Sequence, residues 1–270
     1  MRVHVVGGGL AGLSAALELS AAGRAVTLWE GAQVAKDARV AREHQVIAIV
    51  DQPAKPRAAG GRCRSYHDPR LGRLIDNGNH LVLSGNTSVR RYLRLAGAPH
   101  ALEPAPEAAF PFVDLASGER WTVRINDGPL PWWPLVPGRR PAGVGLAAFL
   151  RSLPLLWADA DRTISEAVAP TGTALTRFWE PMSFAVMNLP PHLASARLMA
   201  ATAKEAWRDG RLCRPMFAPD GLGAALVAPA LAKLERRGAS VRFGRVLKAL
   251  DIVGGEVTAL RFDTGQRVPV

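Results

Sequence analysis

The period of apolar and polar positions changes several times along the chain, and the first change falls within thirty residues. Val3, Val5 and Val6 make a short β-branched run, and Gly7 to Gly12 is a glycine-rich turn. Leu13 to Ala22 is dense in leucine and alanine and predicts a helix, which Gly23 closes. Ala25 to Trp29 predicts a second strand ending at Glu30. Strand, helix and strand in so short a span predict a βαβ start and an α/β fold.

From Ala32 to Ala59 the pattern loosens. A charged, helix-compatible piece leads into the strand-like run Gln45 to Val50, and then Asp51, Pro53 and Pro56 break it. Residues 36–56 therefore read as an inserted surface excursion. Beyond them come Gly60 and Gly61, a hairpin from Tyr66 to Leu74 turning on Asp68 and Pro69, the polar cluster Asp76 to His80, and a helix over 86–97. Residues 100–205 concentrate proline and tryptophan. They predict strands at Phe110 to Val113 and Trp121 to Ile125, then helices at Leu146 to Trp157, Ile164 to Val168, Ala174 to Asn188 and His192 to Trp207. After Asp220 the early style returns, with a helix at Gly223 to Arg237, a strand at Ser240 to Phe243 and a hairpin from Leu247 to Phe262 about Gly254 and Gly255. The expected organisation is a nucleotide-binding first part over 1–85, an inserted α+β substrate or cap domain over 86–210, and a return to the first domain over 211–270.

Composition narrows the function classes. A chain of 270 residues is long enough for two domains with their own cores. Cys63 and Cys213 stand far apart with no Cys/His cluster, so no metal site and no disulfide framework is expected. The first residues lack a signal-peptide apolar region, and Val144 to Trp157 is interrupted by Arg151 and Pro154, so the expectation is a cytoplasmic protein that does not span a membrane. The formal charge of +11 is carried mostly by scattered arginines. With no helix-turn-helix, zinc finger or RNA-binding motif, a nucleic-acid partner is not expected. Attraction to anionic lipid head groups is the better motivated partner for this charge, with a surface that binds nothing as the alternative. Nothing in the sequence sets the oligomeric state.

The chemistry lies in the first turn. Gly7, Gly9 and Gly12 form Gly-x-Gly-x-x-Gly between a strand and a helix. In that context the first glycine permits the tight turn, the second removes a side chain that would block a pyrophosphate, and the third lets helix and strand pack closely. The backbone amides at Leu10 and Ala11, at the helix start, then face the phosphates. Glu30 stands where a carboxylate accepts hydrogen bonds from ribose hydroxyls. These features do not separate FAD from NAD. The run GGRCRS tips the choice to FAD, because Gly60 and Gly61 let backbone approach a flavin nucleotide with the Arg62 guanidinium near its phosphates.

Taken together, RVHVVGGGLAGLSAALELSAAGRAVTLWE, GGRCRSYHD, IDNGNHLVLSGN, AAFPFVDLASGERWT, LPWW, RFWEPMSFAVMN and PDGLGAALVAPALAKLERRGASVRFG resemble the hydroxysqualene dehydroxylases, also called squalene-associated FAD-dependent desaturases. They form part of the amine oxidase and phytoene desaturase-like flavoproteins. The resemblance implies a GR2-type flavoprotein with a Rossmann-like FAD-binding domain and an inserted cap. It implies reductive removal of a hydroxyl from a long isoprenoid on the way to squalene and hopanoids. A related carotenoid or phytoene desaturase, an amine oxidase-like flavoenzyme and a non-catalytic FAD-binding remnant are the alternatives. A thirty-carbon substrate calls for apolar walls, for which Phe110, Phe112, Trp132, Trp133, Phe178, Trp179, Met182 and Phe184 are candidates beside an ordinary core role. No catalytic residue is assigned. His80, with Asn79 and Asp76 beside it, is the one candidate proton donor, and hydrogen-bonded packing is its alternative role. Two departures from the resemblance stand out: about twenty extra residues after the second strand, and the absence of the C-terminal part that relatives carry beyond Val270.

Overall fold

In the computed structural model, which describes residues 2–31, 59–78 and 81–270, β1 (Arg2–Val6) runs parallel to β2 (Ala25–Trp29), joined by α1 (Leu10–Ala21). The helix begins at Leu10, ahead of the apolar periodicity at Leu13, because extended Gly9 serves as its N-cap. Leu13, Ala16 and Leu17 are buried beneath the sheet, so the alanine-rich face lets helix and strands approach closely. The run Gln45 to Val50 and the rest of the 36–56 insertion lie outside the described residues.

The hairpin follows as β3 (Ser65–Asp68) and β4 (Arg73–Asp76), antiparallel with Tyr66 opposite Ile75. Next comes α2 (Thr87–Ala96). Later the chain forms α3 (Ala228–Arg236) and β5 (Ser240–Arg242), and β5 adds to β2 in parallel. A meander of β6 (Leu247–Val253), β7 (Glu256–Phe262) and β8 (Arg267–Pro269) ends the chain. Its Leu260 and Phe262 pack on Trp29, with the Trp29 and Phe262 ring centroids 4.5 Å apart.

These elements belong to one compact unit, residues 1–81, 87–103 and 217–270; residues 82–86 and 104–216 form the other. The helix at 87–96, expected in the cap, is part of the first unit. Tyr92, Leu93 and Ala96 are buried, and the helix packs against α1 and α3. The apolar stripe of an otherwise arginine-rich helix has its partners there. The Tyr92 hydroxyl donates to the Leu226 carbonyl at 2.5 Å in a buried setting, and burial pushes its phenol well above the ordinary range. Tyr92→Phe deletes that hydrogen bond and is expected to lower stability by about 1 kcal/mol, read as a lower urea midpoint with an unchanged slope.

In the second unit, strands Ala108–Val113 and Arg120–Ile125 form a hairpin, with Phe110 opposite Val123. Its core gathers Trp133, Phe178, Trp179, Ile164 and Met199. Trp133, Phe178 and Trp179 are buried core; Phe110, Phe112 and Met182 are partly buried against it; Trp132 and Phe184 are exposed. Four helices expected to be continuous are interrupted; the one expected at 192–207 starts at Ala196, capped by Ser195, and widens into a π turn at Ala203–Trp207 with no proline beside it. The one at 146–157 is an α-helix to Arg151 and then a 3-10 turn from Leu153 to Trp157, since Pro154 cannot donate to the preceding turn. The stretch at 174–188 widens into a π turn at Leu175–Trp179 just before Pro181, and the helix after Asp220 widens at Gly223–Val227 just before Pro229. A wider turn relieves the clash between a proline ring and the carbonyl four residues back. Among the described residues no helix is long and apolar enough to cross a membrane.

Candidate nucleotide site

The first crossing from β1 to α1 is built from glycines that do different things. Gly7 sits at φ +100°, in the region that favours glycine, and its N–H donates to the Trp29 carbonyl at 2.7 Å. At Gly12 an added Cβ would lie 1.8 Å from the Gly7 carbonyl oxygen, so the close approach of helix to turn demands a bare Cα. Gly9 differs from both. Its φ of −73° and ψ of 177° suit any residue, and nothing lies within 4 Å of an added Cβ. The fold does not need glycine there; its bareness leaves open space beside the backbone.

Leu10 and Ala11 open α1. The N-cap makes no side-chain hydrogen bond and the first turn holds no acid, so the N–H groups at the start of the helix, which have no partner inside it, keep their positive potential for something else. Glu30 closes the site from the strand side. Its backbone is pinned by its N–H donating to the Arg242 carbonyl at 2.8 Å and its carbonyl accepting from Arg245 at 3.0 Å. Its carboxylate accepts the Gly8 N–H at 2.5 Å.

The second glycine pair meets the first. The Gly60 N–H donates to the Gly8 carbonyl at 2.7 Å, and Gly60 bridges to Gly9 in parallel fashion. Gly60 and Gly61 have φ of +108° and +55°. An added Cβ at Gly60 would strike Val227 at 2.6 Å, and one at Gly61 would lie 3.6 Å from the Gly9 Cα. Arg62 is exposed in the 3-10 turn Gly61–Cys63 that follows. Gly7, Gly9, Leu10, Ala11, Gly12, Glu30, Gly60, Gly61 and Arg62 are thus brought to one place, although the sequence between Gly31 and Ala59 is long. Asn79 and the candidate proton donor His80 lie outside the described residues.

Sequence reasoning missed the lock behind this loop. The Ser65 hydroxyl donates to Asp76 at 2.5 Å, Asp76 accepts the Leu222 N–H at 2.9 Å, and Ser65 accepts the Gly223 N–H at 2.8 Å. Asp76 therefore ties the hairpin to the turn before α3. Its signal was the pair Gly221 and Gly223: Gly221 lies at φ +84°, and an added Cβ would come within 2.7 Å of the Ser65 hydroxyl. Arg64 was also missed; its buried Nε has no hydrogen-bond partner among the described residues. The Cys63 thiol is held above its ordinary range by burial and by Asp76 nearby, against the opposing pull of Arg62, so it is a poor nucleophile at neutral pH.

These residues fit a dinucleotide. An open cradle lies over Gly9, the helix amides are uncapped, and a carboxylate stands at the end of β2. Comparisons with known proteins agree. Residues 5–36 match the model of the NAD(P)-binding Rossmann-like domain. The chain is 40% identical over 249 residues to the hydroxysqualene dehydroxylase of Sinorhizobium fredii, covering 92% of this chain and 54% of that protein. It is 38% identical over 261 residues to the hydroxysqualene dehydroxylase of Rhodopseudomonas palustris, covering 96% and 57%. The chain thus spans little more than half the length of these curated relatives. Among solved structures, an oxidoreductase from Methanosarcina mazei superposes with a TM-score of 0.69 at 13% identity, covering all of this chain and 57% of that one. Putrescine oxidase superposes with a TM-score of 0.55 at 16% identity, with the same coverage. Residues 56–270 match the model of the flavin-containing amine oxidoreductases, a span that takes in the second glycine pair, the whole second unit and the closing meander, and the chain belongs to that family.

Proposed function

We propose that the chain binds FAD at the glycine crossing and serves a flavin-dependent reduction of hydroxysqualene to squalene, a step toward hopanoids. The observation that carries the cofactor is Gly9, a glycine that the fold does not require, set beside open space between helix amides and the Gly60–Gly61 loop. The substrate reading is supported by the two dehydroxylases, alike over more than nine-tenths of this chain. When bound and reduced, the flavin supplies the hydride that replaces the hydroxyl, which leaves as water after taking up a proton.

The chain's own residues do the rest. Gly7 and Gly12 set the tight turn, and the amides of Leu10 and Ala11 with Arg62 receive the pyrophosphate charge. Glu30 exchanges its hydrogen bond from Gly8 for ribose hydroxyls. Phe110, Phe112 and Met182, only partly buried against the aromatic core of the second unit, are the apolar walls offered to a long isoprenoid. His80 is the proposed site of proton delivery. A cytoplasmic site of action belongs to the same reading.

Titration of the purified protein with FAD, followed by flavin fluorescence, is expected to saturate at one site per chain; absence of saturable association would overturn the cofactor assignment. The reduced flavoprotein incubated with hydroxysqualene is expected to yield squalene. Phytoene desaturation by the oxidised form would move the assignment to a desaturase. A yellow protein that converts neither would leave FAD binding standing and remove catalysis from these residues.

A further inference from the structure

One stretch of the second unit sends Trp133, Leu155 and Phe149 to the core and leaves its other large side chains outside it. Residues 128–158 contain no aspartate or glutamate, three arginines (Arg139, Arg140 and Arg151) and three of the chain's seven tryptophans. Soluble surfaces intersperse both charge signs; within this stretch only the positive sign occurs amid leucine, proline and tryptophan, with Asp127, Asp159 and Asp161 at its borders.

The structure turns several large apolar side chains of this stretch outward. Leu130 is 76% exposed, Leu135 61% and Trp157 74%. Trp132, Leu150 and Leu153 are exposed as well. They come from two segments that pack together. Trp133 turns inward and meets Phe149 edge to face, ring centroids 5.2 Å apart, so its neighbours Trp132 and Leu135 share a surface with the helix Leu146–Arg151. The presentation is fixed by hydrogen bonds. Buried Asn126 donates to the Asp127 and Leu130 carbonyls at 2.9 Å each and accepts the Trp133 N–H at 2.9 Å. Buried Asp209 accepts the Gly128 N–H at 3.0 Å, and its carboxyl is held far below the usual range by Arg211. The loop that displays Trp132 is thus braced from beneath. Arg139 lies over the Trp132 ring, 4.7 Å from its centroid, placing a cation at the edge of the apolar patch.

We infer that this face seats on an anionic lipid bilayer, with Leu130, Leu135, Leu150 and Leu153 in the acyl boundary and Trp132 and Trp157 at head-group depth beside Arg139 and Arg151. Charge complementarity selects the occupant. A second copy would bring the same arginines against themselves, whereas an acidic lipid surface meets them with opposite charge. Tryptophan has an apolar ring and a polar N–H, which suits the boundary between the two media. The inference concerns only the second unit and stands whether or not FAD binds.

The test is cosedimentation of the purified chain with vesicles of phosphatidylcholine alone or with phosphatidylglycerol added, together with tryptophan quenching by lipids brominated along the acyl chain. Binding to the phosphatidylglycerol vesicles with quenching is expected. The double variant Arg139→Gln/Arg151→Gln should weaken partitioning about 25-fold, roughly fivefold per arginine. Leu135→Glu/Leu153→Glu, at side chains the fold leaves exposed, should abolish quenching while the circular dichroism spectrum stays unchanged. Absence of vesicle binding by the parent chain, or binding that both variants leave intact, overturns the inference. So does a dimer in light scattering that the leucine variant dissolves, which would assign the face to a second copy.

Discussion

Gly12→Ala is expected to cost the first unit about 3 kcal/mol, the upper end of what overpacking usually costs, and to lose flavin binding with it. The added methyl would sit 1.8 Å from the Gly7 carbonyl oxygen and 3.0 Å from its carbon, and both partners are backbone. A flexible side chain could swing aside; this carbonyl cannot. Gly7 is already at φ +100° and bonded through its N–H to Trp29, so shifting its carbonyl disturbs the β1–β2 pairing. Moving α1 instead lifts buried Leu13, Ala16 and Leu17 off the sheet. Urea unfolding of the apo protein checks the prediction directly. A midpoint equal to that of the parent would overturn the close approach of helix to turn.

The contrast between Gly12 and its neighbours explains what the sequence could reveal. Glycine spacing and the alanine-rich helix announced the βαβ start, because close packing and a tight turn leave a compositional trace that a single chain displays. The hairpins were also readable, since alternation in Tyr66 to Leu74 and the Gly254–Gly255 turn are local signals. What was not readable depends on partners distant in sequence. The helix at 87–96 looked like the start of the cap; only the presence of α1 and α3 beside Tyr92 and Leu93 assigns it to the first unit. The proline-associated π turns leave Pro181 and Pro229 as clues, but a proline in a helical pattern equally predicts a break, and sequence alone does not choose between a stop and a widened turn. Ser65 and Asp76 were hidden for a similar reason. Asp76 stood beside the candidate proton donor His80, yet its Oδ1 is engaged by Ser65 and Leu222, the latter 146 residues away in the chain. A side chain's free valence cannot be counted until its distant donors are known.

Gly9→Val is expected to do what Gly12→Ala cannot: leave the fold in place and remove the ligand. The backbone at Gly9 is extended, so a β-branched residue meets no strain. Nothing lies within 4 Å of the new Cβ, and Gly9 is the N-cap of α1, where valine is less suited than glycine, so apo stability should fall by only about 0.5–1 kcal/mol. The same open space is where a pyrophosphate must approach the amides of Leu10 and Ala11, and a valine side chain would stand between them. FAD affinity should fall on the order of a hundredfold, about 3 kcal/mol, in a fluorescence titration run beside a thermal melt of the apo protein. The pairing of outcomes decides between causes. Loss of affinity with a melt that falls only slightly locates the phosphates over Gly9. Full affinity with the same melt would place the nucleotide elsewhere and take the function proposed for this crossing with it.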